Sequence, residues 1–336
     1  MTGLRRRTAL AAAGAAALGG CAGWMPPQTA ALGARAPAGL PRRAELEATP
    51  FFAQTEYHCG PAALATALGA AGLSVQPEAL EAQIFLPARQ GTLQAEMLGG
   101  ARRHGAVAVL LPGEIEALLR EVAAGHPVVV LQNLALAFAP RWHYAVLVGY
   151  DLDAGEVVLR SGTTRRATLS LRTFEHTWAR SGHWAFVALA PGRLPATAGE
   201  ASVTQALVAF ERVAPPEAAL RGYEAALMRW PGSLTLAVGV GNTLHAAGRP
   251  RAALDHFERT ARRHASAAAW INAGTIALEL GERRRARAAA ARALAIGGEW
   301  NDAARALMQR VDAAAVRMQA PGRRELPADS QRGSPQ

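Results

Sequence analysis

The 336-residue sequence predicts an α+β domain followed by an all-α repeat domain. Between residues 51 and 195, helical patterns come first and apolar, β-branched runs come later, which is typical of helices packed on an antiparallel sheet. Residues 199–316 are alanine-rich and keep a helical period throughout. With 50% hydrophobic residues, the chain has enough apolar surface for a core in each domain.

The α+β domain is expected to contain four helices and five strands. Helices are predicted from Cys59 onward and over 77–85, 93–103 and 114–124, with Thr92 as the N-cap of the third and stops at Gly105 and Gly125. Strand patterns cover residues 106–111, 127–133, 143–150, 156–161 and 183–190. Asp151 to Gly155 are predicted to form a hairpin turn between the third and fourth of these strands.

The N-terminal segment carries the features of an export signal. Arg5 to Arg7 precede an apolar run, and Leu18-Gly19-Gly20 stand directly before Cys21. This pattern resembles a bacterial lipoprotein signal peptide over 1–20, which implies that Cys21 is lipidated and that the protein is exported. Ala22 after it suggests the periplasmic face of the outer membrane. The alternative is an ordinary signal peptide with a cysteine nearby.

Residues 21–50 are rich in Pro, Ala and Gly and predict a flexible tether with a reach of about 30 Å. The net charge of +10 comes from 36 arginines that are scattered along the chain. No basic stripe interleaved with aromatic residues accompanies them, so nucleic-acid binding is not expected.

Cys59 is the candidate nucleophile. It precedes Gly60-Pro61 and an Ala/Leu run, so its thiol is predicted at a helix N-terminus, where free N–H groups favour an anion. Gln54 lies five residues upstream and could donate its amide to an oxyanion. His143 opens a strand and could serve as the base. The alternatives are a buried apolar cysteine and an inward-facing core histidine.

Four motifs together resemble a known family. They are Gln54-x4-Cys59-Gly60-Pro61, GTLQAEMLGGARRHG at 91–105, AAGHPVVVLQN at 123–133 and HYAVLVGYD at 143–151. This set is similar to the papain-like double-glycine-leader cysteine peptidases of bacteriocin exporters and their stand-alone relatives. The resemblance implies a papain-like fold over 51–195, with Cys59 as nucleophile, His143 as base and Gln54 as oxyanion donor. It also implies a peptide or protein substrate, and nothing in the sequence requires a cofactor or metal.

The third catalytic position departs from that family. Where the family has Asp-Pro or Asn-Pro, this sequence has Ser161-Gly162. Folding the hairpin so that Tyr150 pairs with Glu156 brings His143 opposite 161–163, so Ser161 is the candidate that orients the histidine. Asp151 carries a charge, but it is about 26 Å along the strand from His143 and is expected in the turn.

The helical region repeats with a period of 33 to 34 residues. One set of positions recurs 33 residues later, namely Gly241, Gly248, Ala253 and Phe257 as Gly274, Gly281, Ala286 and Ala290. The period resembles that of tetratricopeptide repeats, which implies a surface for a protein partner. An unrelated helical bundle is the alternative, and the polar tail at 320–336 is predicted to be disordered.

Three functions remain open at this stage. The first is a membrane-anchored cysteine peptidase that works through a Cys59–His143 thiolate–imidazolium pair with a lowered thiol pKa. The second is a non-catalytic module that uses the peptidase fold to bind a peptide. The third is acyl or amide transfer by the same thiol, with an amine in place of water.

Overall fold

The structure is a computed structural model that describes residues 25–53 and 58–319. The predicted signal peptide, the predicted lipidation site Cys21, the predicted oxyanion donor Gln54 and the tail at 320–336 lie outside these residues. The chain divides into two compact units, one ending at Trp230 and one beginning at Pro231. In the part of the chain that is described, no helix combines the length and apolar character needed to cross a membrane.

The first unit is built on one antiparallel sheet of seven strands. The strands are β1 Arg43–Glu45, β2 Val107–Leu110, β3 Val128–Asn133, β4 Trp142–Asp151, β5 Glu156–Ser161, β6 Thr164–Ser170 and β7 Ala185–Leu189. Their order is β2-β7-β3-β4-β5-β6, and β1 pairs with the last residues of β4. The long strand β4 is therefore central and touches three neighbours.

Eight helices accompany this sheet among the described residues of the unit. They are α1 Pro27–Ala34, α2 Cys59–Ala70, α3 Pro77–Ile84, α4 Gln94–Arg103, α5 Ile115–Ala123, α6 Leu171–Ala179, α7 Glu200–Glu211 and α8 Pro216–Arg229. Residues 60–68 of α2 are all buried, as expected for a helix covered on every side. Leu64 and Leu68 pack with Val146 and Phe186 in the core, and Cys59 lies at its edge.

The predicted α+β class is confirmed by this arrangement, and most of the predicted elements agree with it to within two residues. β6 and α6 were not predicted. In β6 two adjacent arginines interrupt the alternation of polar and apolar residues, and α6 shows little apolar character in sequence. The N-cap prediction for Thr92 is wrong. The helix begins at Gln94 without a side-chain cap, and the Thr92 hydroxyl is buried without a hydrogen bond.

The predicted tether is wrong for residues 25–50. The backbone N–H groups of Gln28 and Thr29, at the start of α1, donate to the carboxylate of Glu175 at 3.0 and 2.6 Å. Glu175 is buried on α6, where it complements the positive end of α1. Further along, β1 pairs with β4. The described part of this segment is thus attached to the first unit by hydrogen bonds and by strand pairing.

The second unit is helical throughout its described residues. Its helices are α9 Leu234–Ala246, α10 Pro250–His264, α11 Ala267–Glu279, α12 Arg283–Ile296 and α13 Asn301–Gln319. The first residues of α9 and α11 are 33 positions apart, as are those of α10 and α12. A Cβ on Gly241 would lie 2.4 Å from the Phe257 ring, and one on Gly274 would lie 2.6 Å from Leu307. Both glycines therefore stand where helices approach closely, which agrees with the 33-residue recurrence.

An all-helical C-terminal region is confirmed, while its membership among tetratricopeptide repeats stays a prediction. The predicted repeat region, 199–316, begins before the division between the units. Its first two helices, α7 and α8, belong to the first unit, and α7 packs against β2 at the sheet edge.

Candidate active site

Cys59 is the first residue of α2, and this helix packs against β4. The Gly-Pro pair after it fits the first turn of a helix, where a proline needs no N–H partner. The backbone N–H groups of Tyr144, Gly60 and Cys59 itself lie close enough to the thiol to favour its anionic form. Since Tyr144 directly follows His143, this contact brings the sulfur beside the strand that carries the histidine.

Burial raises the pKa of the Cys59 thiol above its ordinary value of 9.0, and the three backbone donors offset this only in part. A buried thiolate loses its hydration, and no cationic side chain contributes to this balance among the causes that act on Cys59. The resting thiol is therefore protonated at neutral pH.

His143 projects from the start of β4 and is half-buried. Its Nε2 lies 2.8 Å from the Ser161 hydroxyl oxygen at the end of β5. In the tautomer that donates from Nε2 to this hydroxyl, Nδ1 is the ring nitrogen left to receive a proton from a thiol. Burial, and secondarily the charge of Arg141, lowers the pKa of His143 below 6.5.

The two pKa directions together favour a neutral thiol and a neutral imidazole. They are opposite to the thiolate–imidazolium pair predicted from the sequence. The physical reason is that both groups are largely desolvated and that, among the described residues, no carboxylate contacts the His143 ring to stabilise its charged form.

The Ser161–His143 contact depends on the geometry of the β4–β5 hairpin. Asp151 pairs with Glu156, which is one position away from the predicted pairing of Tyr150 with Glu156. A register shift between Leu147 and Gly149 then moves the earlier part of β4 relative to β5. The shift restores the predicted register toward the start of β4, where Val146 pairs with Arg160, so the folded-hairpin argument is wrong by one position at the turn and correct near His143 and Ser161.

Asp151 was predicted in the turn, but it is the last residue of β4, and its side chain caps the turn that follows. Its Oδ1 accepts hydrogen bonds from the backbone N–H groups of Asp153 and Ala154 at 2.9 and 3.0 Å. These bonds and an ion pair with Arg43 lower its pKa. Its carboxylate therefore stabilises the hairpin and does not contact His143.

Cys59, His143 and Ser161 line one groove with a volume of about 1030 Å³. Its lining includes residues 89–94 and the end of the β3–β4 connection. Two of the lining side chains, Leu93 and Trp142, are 46% and 52% exposed. Among the described residues, the lining includes two arginines and no acidic side chain. The groove thus combines exposed apolar side chains with positive charge.

Two contributors to the site were not anticipated. The Tyr144 amide N–H favours the anionic form of the Cys59 thiol, and the Tyr144 hydroxyl donates to the Thr92 carbonyl at 3.2 Å. Thr92 also stands over the first turn of α2, because a Cβ on Gly60 would lie 2.4 Å from its hydroxyl oxygen. The position of Tyr144 next to the histidine was the only hint in the sequence.

No group of three or more His, Cys, Asp or Glu side chains that could hold a metal ion occurs in the described parts of the chain. Gln54, the predicted oxyanion donor, lies in the gap at 54–57. Its role therefore stays a prediction.

Comparison with known proteins links this site to a family. Residues 46–186 match the model of the Peptidase_C39 like family. This span contains Cys59, His143 and Ser161, and the match agrees with the resemblance of the four motifs. No curated protein matches the chain.

Two solved structures are similar to the first unit. One, described as a C39-like peptidase from Bacillus anthracis, has 22% identity and a TM-score of 0.36, with 44% of this chain and 97% of that chain covered. The other is the peptidase domain of Streptococcus ComA, described as a bi-functional ABC transporter involved in a quorum sensing pathway. It has 16% identity and a TM-score of 0.36, with 42% of this chain and 98% of that chain covered.

Proposed function

We propose that the protein is a cysteine peptidase that cleaves peptide or protein substrates, with Cys59 as nucleophile and His143 as base. The observation that carries the proposal is that Cys59, His143 and Ser161 line a single groove inside the span that matches the C39-like family. The Tyr144 N–H contact to the sulfur supports the same assignment, because it holds the thiol next to the histidine.

The geometry supports a mechanism that begins from the neutral pair. As the Cys59 sulfur attacks the substrate carbonyl carbon, His143 takes the thiol proton on Nδ1. The oxyanion forms near the start of α2, where the Cys59 N–H and the predicted Gln54 amide would stabilise it. The imidazolium returns its proton to the leaving amine as the C–N bond breaks. Water, activated by His143, then hydrolyses the thioester, and Ser161 keeps the ring oriented through both steps.

Mapping new N-termini in an exported bacterial proteome tests this proposal. Wild-type protein should generate new termini, and Cys59→Ala and His143→Ala should not. His176→Ala is the matched control, because this histidine lies on α6 and does not line the groove. Absence of new termini with folded wild-type protein would contradict a peptidase.

A binding function without catalysis is the second candidate. Two observations favour it, namely the uncharged Ser161 behind the histidine and the raised pKa of the Cys59 thiol. In that case wild type and Cys59→Ala would retain the same peptides with equal affinity, and neither would cleave them. Acyl or amide transfer by the same thiol would instead yield amine-linked products, which mass spectrometry distinguishes from hydrolysis products.

The proposal includes the setting of the enzyme. The signal-like N-terminus supports export and anchoring through a lipid on Cys21, at the periplasmic face of the outer membrane. The 33-residue recurrence of helices supports a tetratricopeptide-like surface that binds a protein partner. Substrate and partner would then meet an enzyme held at a membrane.

A further inference from the structure

A buried guanidinium lies next to the serine that holds His143. Arg160 precedes Ser161 on β5, and only 3% of it is exposed. A buried cation is costly unless it is hydrogen-bonded. The guanidinium donates to four backbone carbonyl oxygens, those of Arg165 at 2.7 Å, Glu47 at 3.1 Å, Thr49 at 3.4 Å and Leu46 at 3.5 Å.

The first of these carbonyls belongs to a β-bulge. Leu159 pairs with Ala167 and Ser161 pairs with Thr164, so two residues of β6 face the single residue Arg160. A bulge leaves a backbone group out of the ladder and turns the neighbouring side chain. Here the Arg160 side chain satisfies the bulge carbonyl, and the neighbouring side chain is Ser161, whose hydroxyl contacts His143.

The other three carbonyls belong to the turn at residues 46–49. The Thr49 N–H donates to the Leu46 carbonyl at 3.0 Å, and the Leu46 N–H donates to Val148 on β4 at 2.7 Å. Pro50, which follows the turn, packs on α2, because a Cβ on Gly69 would lie 2.9 Å from the Pro50 ring. This turn is therefore fixed between the strand of His143 and the helix of Cys59.

We infer that Arg160 is a positioning residue, which clamps the β5–β6 bulge to the 46–49 turn and so holds Ser161 against His143. An arginine suits this role because its planar group offers five donors in a fixed fork, which can reach two chain segments at once. The inference deepens the proposed function, since the Ser161–His143 contact is the part of the site that it stabilises.

The test uses ¹⁵N-histidine NMR on the full chain, with the His143 signals assigned by their loss in His143→Ala. Ring ¹⁵N shifts report the tautomer and the pKa of His143, and neither requires a substrate. Ser161→Ala should change both, because the Nε2 partner is lost. Arg160→Met should reproduce most of that change, and the double variant should show no more than Ser161→Ala alone.

Two further variants make the result decisive. Arg160→Gln keeps a donor but cannot span both segments, so it should behave as Arg160→Met does and serves if that variant fails to fold. Arg165→Met is the control, because only the carbonyl of Arg165 contacts Arg160. Wild-type His143 signals in a folded Arg160 variant, or additive changes in the double variant, would overturn the inference.

Turnover separates this inference from the proposed function. If the enzyme cleaves peptides, Arg160→Met and Ser161→Ala should each lower kcat by about tenfold, the typical effect of one lost hydrogen bond, with KM little changed. Coupled NMR changes in a protein without peptidase activity would refute the proposed function alone. Turnover with uncoupled NMR changes would refute the role of Arg160 alone.

Discussion

The pH dependence of Cys59 alkylation is the most direct consequence of the site geometry. A thiol with the ordinary pKa of 9.0 is about 1% thiolate at pH 7, and each further unit lowers that fraction tenfold. Since burial raises the pKa of Cys59, less than about 1% of it should be thiolate at pH 7. The rate of alkylation by iodoacetamide should rise with pH and reach its midpoint above pH 9.0.

The assay is best performed in a Cys21→Ser background, because the chain has two cysteines and Cys59 is then the sole thiol. The same protein unfolded in urea provides the reference, and at pH 7 it should react faster than the folded protein. His143→Ala should leave the midpoint almost unchanged, because the groups that act on the thiol are backbone N–H donors.

A midpoint below 9.0 in folded wild type, moved upward by His143→Ala, would refute this reasoning. It would show that the pair rests as thiolate and imidazolium, as the sequence predicted.

Four other outcomes are expected. Because the pKa of His143 is lowered and the base must be neutral, kcat/KM should rise with pH with an apparent pKa below 6.5. An apparent pKa above 6.5 for this rise would contradict the prediction. Gly60→Ala should cost about 1 to 3 kcal/mol in urea unfolding through its clash with Thr92, and Thr92→Ala should relieve part of that cost. Glu175→Ala should make the α1 segment sensitive to limited proteolysis, while Glu175→Gln should do so less. Cys21→Ser should release the protein from membranes, and unchanged sedimentation with membranes would contradict lipidation.

The sequence predicted those parts of the site that depend on local signals. A Gly-Pro pair fixes Cys59 at a helix start, and an apolar run with a polar first residue places His143 at a strand start. The approach of His143 to Ser161 followed from folding the hairpin between β4 and β5. The register shift in β4 could not be predicted from the sequence, because every residue of that strand is compatible with regular pairing.

Long-range contacts explain what the sequence did not predict. The α1 segment looks like a linker by composition, and its partner Glu175 is more than a hundred residues away in the chain. The direction in which the pKa of Cys59 is shifted depends on how deeply the start of α2 is buried, and no sequence motif encodes that burial. Arg160 looks like a surface residue in the sequence until the bulge and the turn at 46–49 are seen around it.

The attachment of α1 to Glu175 has a consequence for where the enzyme would work. If Cys21 carries the lipid, the six chain steps from there to Pro27 span at most about 20 Å. So short a connection would keep the first unit close to the bilayer, with one side turned toward the membrane. Substrates would then be selected by height above the membrane, so that lipoproteins and emerging chains near the surface would reach the groove more readily than freely diffusing proteins.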